Sequence, residues 1–181
     1  RWGEQGKWNL EEKDASGAEV KLRVGLKDAH DEVAEVLFPY FANTAANGFA
    51  STEHPDTLMR RVPVRRLALK DGEALVASVY DLFLANYGVD QGFGGEHLGS
   101  TYDDLEPYTP AWAEQVTTAP REQIIAVARG FAANAEKTNG KSMVIIGAAM
   151  NHWYHMDMNY RGVINLLAMW GCIGQPCGGW S

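Results

Sequence analysis

A short apolar run towards the end of the chain stops at a glycine. Residues 143–146 read Met-Val-Ile-Ile, and Gly147 follows them. Apolar, largely β-branched residues with a closing glycine are typical of a buried strand. Residues 148–158 are too polar and aromatic for a core, whereas residues 160–170 return to the apolar spacing of a helix. The order strand, polar loop, helix predicts an α/β fold with a parallel sheet.

The polar loop after this strand is a candidate ligand site. In open α/β sheets ligands bind beyond the carboxyl ends of the strands, and the start of the following helix favours phosphate. The candidate contacts are a glycine and six polar side chains, namely Gly147, Asn151, His152, His155, Asp157, Asn159 and Arg161. We therefore expect the loop to form one wall of a ligand site.

Two of these residues are predicted at the start of the helix. A cation there opposes the helix dipole, so Arg161 indicates a nearby anion. That anion is either a pyrophosphate, which a guanidinium binds bidentately, or Asp157 or another acid in a salt bridge. Asn159 is predicted as the N-cap of the helix, with or without a ligand contact.

The two histidines of the loop allow three interpretations. His152 and His155 lie near Asp157, but a catalytic zinc usually needs three protein ligands in a defined geometry. The alternatives are buried histidines that hold the loop by hydrogen bonds, or contact with a dinucleotide or a substrate channel. We predict no metal ligand in this chain.

A second candidate segment, residues 171–179, contains four glycines. Glycine permits positive φ and a close approach of the backbone to a ligand, although plain turns are the alternative. The candidate contacts are Gly171, Cys172, Gly174, Gln175, Gly178 and Gly179. An iron–sulfur cluster ordinarily needs four ligands, so neither Cys172 nor Cys177 is assigned to a metal, and both are expected to be buried thiols.

The two segments together carry a family resemblance. Asn159, Arg161, Asn165 and Leu166 form N-x-R-x-x-x-N-L, and residues 171–179 form G-x-I-G-x-P-x-G-G. This pair resembles the pterin-nucleotide-binding region of the molybdenum bis(molybdopterin guanine dinucleotide) oxidoreductases. The run N-H-W-Y-H-M-D-M-N-Y-R-G at residues 151–162 resembles one branch, the catalytic α subunits of membrane-bound respiratory nitrate reductases. Looser similarity to that branch, at residues 2–11, 79–88 and 101–104, covers nearly the whole chain.

The resemblance implies a function for a longer enzyme. Such an enzyme reduces nitrate to nitrite by oxygen-atom transfer at molybdenum held by two molybdopterin guanine dinucleotides. Electrons come from quinol through a cytochrome b γ subunit, an iron–sulfur β subunit and a [4Fe–4S] cluster whose ligands lie outside this chain. The resemblance also implies a peripheral subunit on the cytoplasmic face of the membrane.

On this interpretation the chain is an internal fragment, inactive alone and without catalytic residues. It would supply a wall of the guanine dinucleotide site, from residues 147–161 and 171–179. Cys177 stands where the family commonly has glycine. The alternatives are another member of the family, such as a formate dehydrogenase or a dimethyl sulfoxide or perchlorate reductase, or an α/β binding module without a redox role.

The first half of the chain is less informative about chemistry. Residues 62–69 and 74–80 alternate in polarity around Asp71-Gly72, which predicts a β-hairpin. A helix is predicted from residue 79 to Gly88, and one turn of helix at residues 31–38. The basic residues between Arg60 and Lys70 are interpreted as a solvated strand face. We predict a loop-rich domain with a hairpin at residues 1–107 and an incomplete α/β dinucleotide-binding domain at residues 108–181.

Charge and composition exclude several classes of function. The net charge is −7 and no block of basic residues occurs, so nucleic acid is not an expected partner. No apolar run reaches the length of about 18 residues that a membrane span needs. The glycine motifs that bind nicotinamide dinucleotides or nucleoside triphosphates do not occur in the sequence.

Overall fold

The computed structural model describes residues 11–13, 16, 19–21, 25–39 and 57–181. The chain forms two compact units, Arg23–Ile124 and a second unit that combines Arg1–Leu22 with Ile125–Ser181. The motif at residues 2–11 lies outside the described residues except for Glu11. The division at residue 107 that the sequence suggests stays a prediction.

The unit of residues 23–124 is built on a three-stranded antiparallel sheet. Its strands are β3 (Glu32–Pro39), β4 (Thr57–Leu69) and β5 (Gly72–Val76), in the order β3-β4-β5. Leu69 pairs with Gly72 at the turn between β4 and β5. The predicted hairpin is therefore confirmed.

Strand β3 corrects the prediction of a helical turn at residues 31–38. All eight of its residues pair with β4, and Ala34, Val36 and Phe38 pack in the core with Val62 and Val64. The acidic character of this run suggested a helical turn. In the structure Glu32 and Glu35 lie on the strand and pair with arginines of β4, at 2.5 Å and 3.1 Å.

Arg60 corrects the interpretation of the basic residues of β4 as one solvated face. Arg61, Arg65 and Arg66 are exposed, but Arg60 is only 1% exposed. Its guanidinium donates to the carbonyls of Ala85 and Asn86, at 2.5 Å and 3.0 Å, and to those of Glu96 and His97, at 3.0 Å and 2.9 Å. A buried cation thus satisfies carbonyls at a helix end and in the following loop.

Three helices follow the sheet. Helix α1 (Val79–Asn86) is capped by Ser78, and Gly88 follows it with φ +70°, which confirms the predicted stop. Helix α2 (Pro110–Thr117) has Thr109 as its N-cap, because the side chain accepts from the backbone N–H of Trp112. Helix α3 (Arg121–Thr138) begins in this unit and continues into the second.

Arg121 holds the start of α3 to α2. Its guanidinium lies 2.9 Å from Glu114 Oε2 and 2.7 Å from Asp103 Oδ1. Hydrogen bonds from the backbone and side chain of Arg121 lower the pKa of the Glu114 carboxyl. The link is therefore sensitive to acid.

The second unit contains the other elements. Strands β1 (Glu11–Lys13) and β2 (Glu19–Lys21) pair antiparallel. Strand β6 (Met143–Val144) is followed by helix α4 (Ala148–Asn151), helix α5 (Met156–Met169) and strand β7 (Gly179–Trp180). Strand β7 pairs parallel with β6, so the predicted α/β class with a parallel pair is confirmed.

The core of the second unit lies between α3, α5 and the segment after α5. Ala135, Leu167 and Cys172 are buried there, and Phe131 and Val163 pack against them. Within the described part of the chain, no helix is both long and apolar enough to cross a membrane.

Candidate functional site

An open groove lies beyond the carboxyl end of β6. Its volume is about 560 Å³, and its walls come from the end of the strand, from α4 and from the start of α5. The lining residues are Ile145, Ile146, Gly147, Ala149, Met150, Trp153 and Asn159. The predicted ligand position after the strand therefore coincides with a groove.

The loop beside the groove presents its side chains to solvent. Residues 151–159 are all exposed, and Trp153 is 71% exposed. Gly147 is the N-cap of α4, and His155 is the N-cap of α5 in the left-handed conformation, with φ +59°. These side chains are accessible to a ligand.

The two histidines are exposed, so the interpretation of buried histidines is wrong. The His155 ring packs against Tyr154 with centroids 3.9 Å apart. Among the described residues, no group of three or more His, Cys, Asp and Glu side chains is arranged to hold a metal ion.

Helix α5 begins at Met156, several residues before the predicted start. Asn159 is therefore not the N-cap, and it lines the groove from within the helix. Arg161 lies in the second turn, where the dipole acts on it less than at the first turn. It is exposed, and no acid of the described chain, Asp157 included, pairs with it. The interpretation as a salt bridge is not supported, and the guanidinium is available to an external anion.

Asn151 and Tyr160 link the two ends of the loop. The Tyr160 hydroxyl donates to Asn151 Oδ1, and the Tyr160 ring meets Trp180 edge-on with centroids 5.3 Å apart. Sequence reasoning missed Tyr160 as part of the site. In the sequence, Tyr160 lies within a run of polar residues, and no pattern there marks it as part of a ligand site.

The glycines around the site serve different purposes. A Cβ at Gly178 would lie 2.4 Å from the Gly140 carbonyl oxygen and 2.5 Å from that of Cys172, so internal packing requires this glycine. A Cβ at Gly147 would meet no atom of the described chain within 4 Å, and φ there is −138°. Neither strain nor internal packing explains Gly147, which leaves room for a ligand.

The glycine-rich segment is a series of left-handed turns. Gly171, Gly174 and Gly179 have φ of +62°, +80° and +90°, and Cys177 has φ +67°. Gln175 packs near Gly140, and its Cγ would lie 3.0 Å from the Cβ of any larger residue at position 140. The groove lining contains none of residues 171–179, so the structure does not bring this segment and the loop to one groove.

The two cysteines differ in environment. The Cys172 thiol is buried, as expected, and its Sγ lies 3.6 Å from the Trp170 carbonyl oxygen. Cys177 is exposed, so the expectation of a buried thiol there is wrong. It lies on a turn whose positive φ favours glycine.

A strand followed by a groove, a polar loop and glycine turns is an arrangement suited to a nucleotide-bearing cofactor. The chain belongs to the molybdopterin oxidoreductase family, whose sequence profile matches residues 15–181.

Similar proteins are nitrate reductase subunits. The chain is 54% identical to the respiratory nitrate reductase 1 alpha chain of Escherichia coli over 100% of its own length and 15% of that protein. It is 41% identical to the nitrate reductase alpha chain of Bacillus subtilis, again over 100% of its length and 14% of that protein. The chain is also 35% identical to the perchlorate reductase alpha subunit of Dechloromonas aromatica. This match covers only 39% of the chain and 7% of that protein. The chain thus spans about one seventh of the length of the nitrate reductase chains it matches.

The residues present fit the cofactor that the family implies. Molybdopterin carries phosphate, and the loop offers the exposed Arg161 guanidinium without an acidic partner in the described chain. The groove has an apolar wall at Ile145 and Trp153 and free space at Gly147. A flat ligand matches the groove, and an anionic part matches Arg161, which lies outside the groove lining.

Proposed function

We propose that the chain is part of the α subunit of a respiratory nitrate reductase, an enzyme that reduces nitrate to nitrite. One observation carries the proposal. The similarity to nitrate reductase alpha chains extends over the whole chain, whereas the similarity to the perchlorate reductase subunit covers 39% of it.

The cofactor of the proposed enzyme is molybdenum held by two molybdopterin guanine dinucleotides. When bound, the molybdenum centre supplies the oxygen-atom transfer chemistry, and the surrounding protein supplies binding and orientation. The isolated chain is expected to be inactive.

The proposed contribution of this chain is a wall of the cofactor site. The Arg161 guanidinium would donate to phosphate oxygens, and Trp153 would offer an apolar face to a flat ring. Gly147 would let the ligand approach the backbone. The remaining proposed contacts in the loop are Asn151, His152, His155, Asp157 and Asn159. After α5 they are Gly171, Gly174, Gln175 and Gly179, whereas the fold already uses the buried Cys172 and the packed Gly178.

The electron path and the partners belong to the same proposal. Electrons would pass from quinol through a cytochrome b γ subunit and an iron–sulfur β subunit to a [4Fe–4S] cluster in the α subunit. The ligands of that cluster lie outside this chain, and the enzyme would sit on the cytoplasmic face of the membrane. Similarity to respiratory nitrate reductase alpha chains supports this arrangement.

Arg161→Ala in the full-length enzyme tests the phosphate contact. Molybdenum and guanine nucleotide content should fall about ten-fold or more, because a charge-assisted hydrogen bond is worth about 1.5–3 kcal/mol. Arg65→Ala is the matched control, since Arg65 is also an exposed arginine. Equal cofactor content in both variants would remove Arg161 from the site.

Gly147→Val tests the close approach of a ligand to the backbone. The described chain has space for the new side chain, so folding should be retained while cofactor content falls. Gly130→Val, at another glycine with open space around it, should retain the cofactor. Full cofactor loading of Gly147→Val would mean that the cofactor does not reach this backbone.

The substrate is tested on the purified full-length enzyme with a reduced viologen as electron donor. Nitrate should be turned over with higher kcat/KM than perchlorate. A preference for perchlorate would replace the proposed reaction by perchlorate reduction, the reaction named for the Dechloromonas aromatica protein.

A further inference from the structure

The far half of the β4–β5 hairpin extends beyond the part of β4 that β3 covers. Strand β3 pairs with residues 57–64 of β4, whereas β5 pairs with residues 65–69. Within the described chain, residues 65–76, which we call the hairpin arm, are therefore a ladder of two strands. Neither core cluster of the described residues contains a residue of the hairpin arm. A hairpin of two strands that packs on nothing else is at best marginally stable in water.

The hairpin arm carries leucines on both of its faces. Leu67 and Leu69, two residues apart on β4, share one face, and Leu75, which pairs with Arg66, lies on the other. The exposed fractions of the three leucines are 42%, 58% and 48%. An antiparallel sheet in water commonly exposes one face and keeps it polar. Apolar side chains on both faces therefore indicate that another surface covers the hairpin arm.

The arginines of the hairpin arm already have acidic neighbours in this chain. The Arg66 guanidinium lies 2.5 Å from Glu32 and 3.3 Å from Glu73. The Arg65 guanidinium lies 3.9 Å from Asp31. An acidic partner would have to compete with these carboxylates, so the hairpin arm fits a partner that offers apolar surface and not charge.

The backbone of the hairpin arm favours protein over lipid as the covering surface. A ladder of two strands leaves the outward N–H and C=O groups of both strands open at its edges. In the hydrocarbon of a membrane these groups would stay unsatisfied, whereas a protein can pair with them through an added strand.

We propose that the hairpin arm inserts between segments of the α subunit that lie outside these 181 residues, with its leucines against their apolar side chains. The inference rests on the proposed function, because the occupant is the rest of that subunit. The chain spans 15% of the Escherichia coli protein and 14% of the Bacillus subtilis protein, so most of such a subunit is available to cover the hairpin arm. Contacts within a subunit are permanent, and permanent interfaces are more apolar than transient ones.

Hydrogen exchange of the full-length α subunit tests this proposal. The subunit is measured alone, in the complex with its β and γ subunits, and in that complex with vesicles of phosphatidylethanolamine and phosphatidylglycerol. A synthetic peptide of residues 65–76 serves as the free hairpin. The amides of the hairpin arm should exchange about 100-fold or more slowly than those of the peptide, and equally in all three samples.

Serine variants test whether the leucines hold the hairpin arm in place. Leu67→Ser and Leu75→Ser, one on each face, should each speed up exchange in the hairpin arm about ten-fold or more, because each removes a side chain from an apolar contact. Lys70→Ser is the matched control at the turn of the same hairpin arm. It removes no apolar side chain and should leave exchange unchanged.

Other outcomes would overturn the inference. Fast exchange in every sample would show that the hairpin arm is uncovered. Protection only in the complex would assign the covering surface to another subunit, and protection only with vesicles would assign it to lipid. Unchanged exchange in both leucine variants, or equal acceleration by Lys70→Ser, would show that the leucines do not hold the hairpin arm.

The exchange measurements do not depend on catalysis, so each of these outcomes would leave the proposed function intact. The proposed function fails on a different result, a full-length enzyme that contains no molybdenum and does not reduce nitrate.

Discussion

Arg60 and Arg161 show how the two units of the chain differ. Arg60 lies on a strand of the unit 23–124, is buried, and donates to four backbone carbonyls of its own unit. Arg161 lies on α5 of the other unit, is exposed, and forms no ion pair with any acid in the described part of the chain. One guanidinium is used to fold the chain, and the other is available to a molecule outside it.

The same contrast applies to the glycines of the second unit. Gly178 is packed between carbonyls of the chain, whereas Gly147 borders open space at the groove. A residue type suited to a ligand therefore indicates a binding role only where the fold does not already use it. Substitutions can show whether a given residue is needed for folding or for binding.

The largest expected effect is at Arg60. Arg60→Met leaves four carbonyls without their donor, so the free energy of unfolding should fall by about 3 kcal/mol or more. Urea titration followed by tryptophan fluorescence measures the change. Arg61→Met is the control on the same strand, because its exposed pair with Glu35 is worth at most about 1 kcal/mol. Equal losses for both would end the contrast between buried and exposed arginines.

Gly178→Ala should cost the next largest amount. The added Cβ meets two carbonyl oxygens, and overpacking of this kind costs about 1–3 kcal/mol. Gly130→Ala, in the middle of α3 with open space around it, should instead raise the free energy of unfolding by up to about 1 kcal/mol. The two changes should therefore shift the melting temperature in opposite directions. A neutral Gly178→Ala would indicate that the segment rearranges freely.

Cys177→Gly should stabilise the chain slightly. Cysteine at φ +67° is strained, and glycine relieves this strain but adds freedom to the unfolded chain, for a net gain of about 0.5–1 kcal/mol. Cys177→Ala keeps the strain and should give no gain in thermal unfolding. If alanine stabilises as much as glycine, the effect comes from the thiol and not from the backbone.

The smallest effect concerns acid sensitivity at Glu114. Because its folded-state pKa is lowered from 4.5, the carboxylate stabilises the fold above the unfolded pKa, and this contribution is lost as pH falls below it. Glu114→Gln should therefore flatten the decline of the free energy of unfolding as pH falls below about 4.5. Arg121→Met removes the cause of the pKa shift and should flatten the profile in the same way. An unchanged slope in both variants would contradict a role for this pair.

The sequence predicted the elements whose signals are local. The β4–β5 hairpin has Asp71-Gly72 at its turn, and the stop after α1 comes from Gly88. The strand before Gly147 and its parallel pairing also follow from local periodicity and element order. Such signals act through backbone conformation and need no distant partner.

The errors concern residues whose state depends on distant segments. Residues 31–38 were predicted as one turn of helix. Pairing with β4 gives them the strand conformation, and the local sequence does not show this pairing. Arg60 was predicted as exposed because its partners lie 25 or more residues away along the chain. The start of α5 was predicted late because His155 adopts a left-handed conformation that its own sequence does not reveal.

For the candidate site, the sequence predicted a ligand position and the polar residues around it. It did not predict the apolar lining at Ile145 and Met150, because exposed apolar residues look like core residues in a sequence. It also joined the loop and the glycine segment into one ligand wall, and the groove brings together only residues of the loop and its flanks.

The pairing of β7 with β6 has a consequence for synthesis. The ribosome releases the chain from its amino end, so the groove residues emerge before Gly179 and Trp180, which complete their sheet. Ser181 then accepts from the backbone N–H of Ile146, beside the groove. The sheet beside the groove is therefore complete only after translation has passed residue 181.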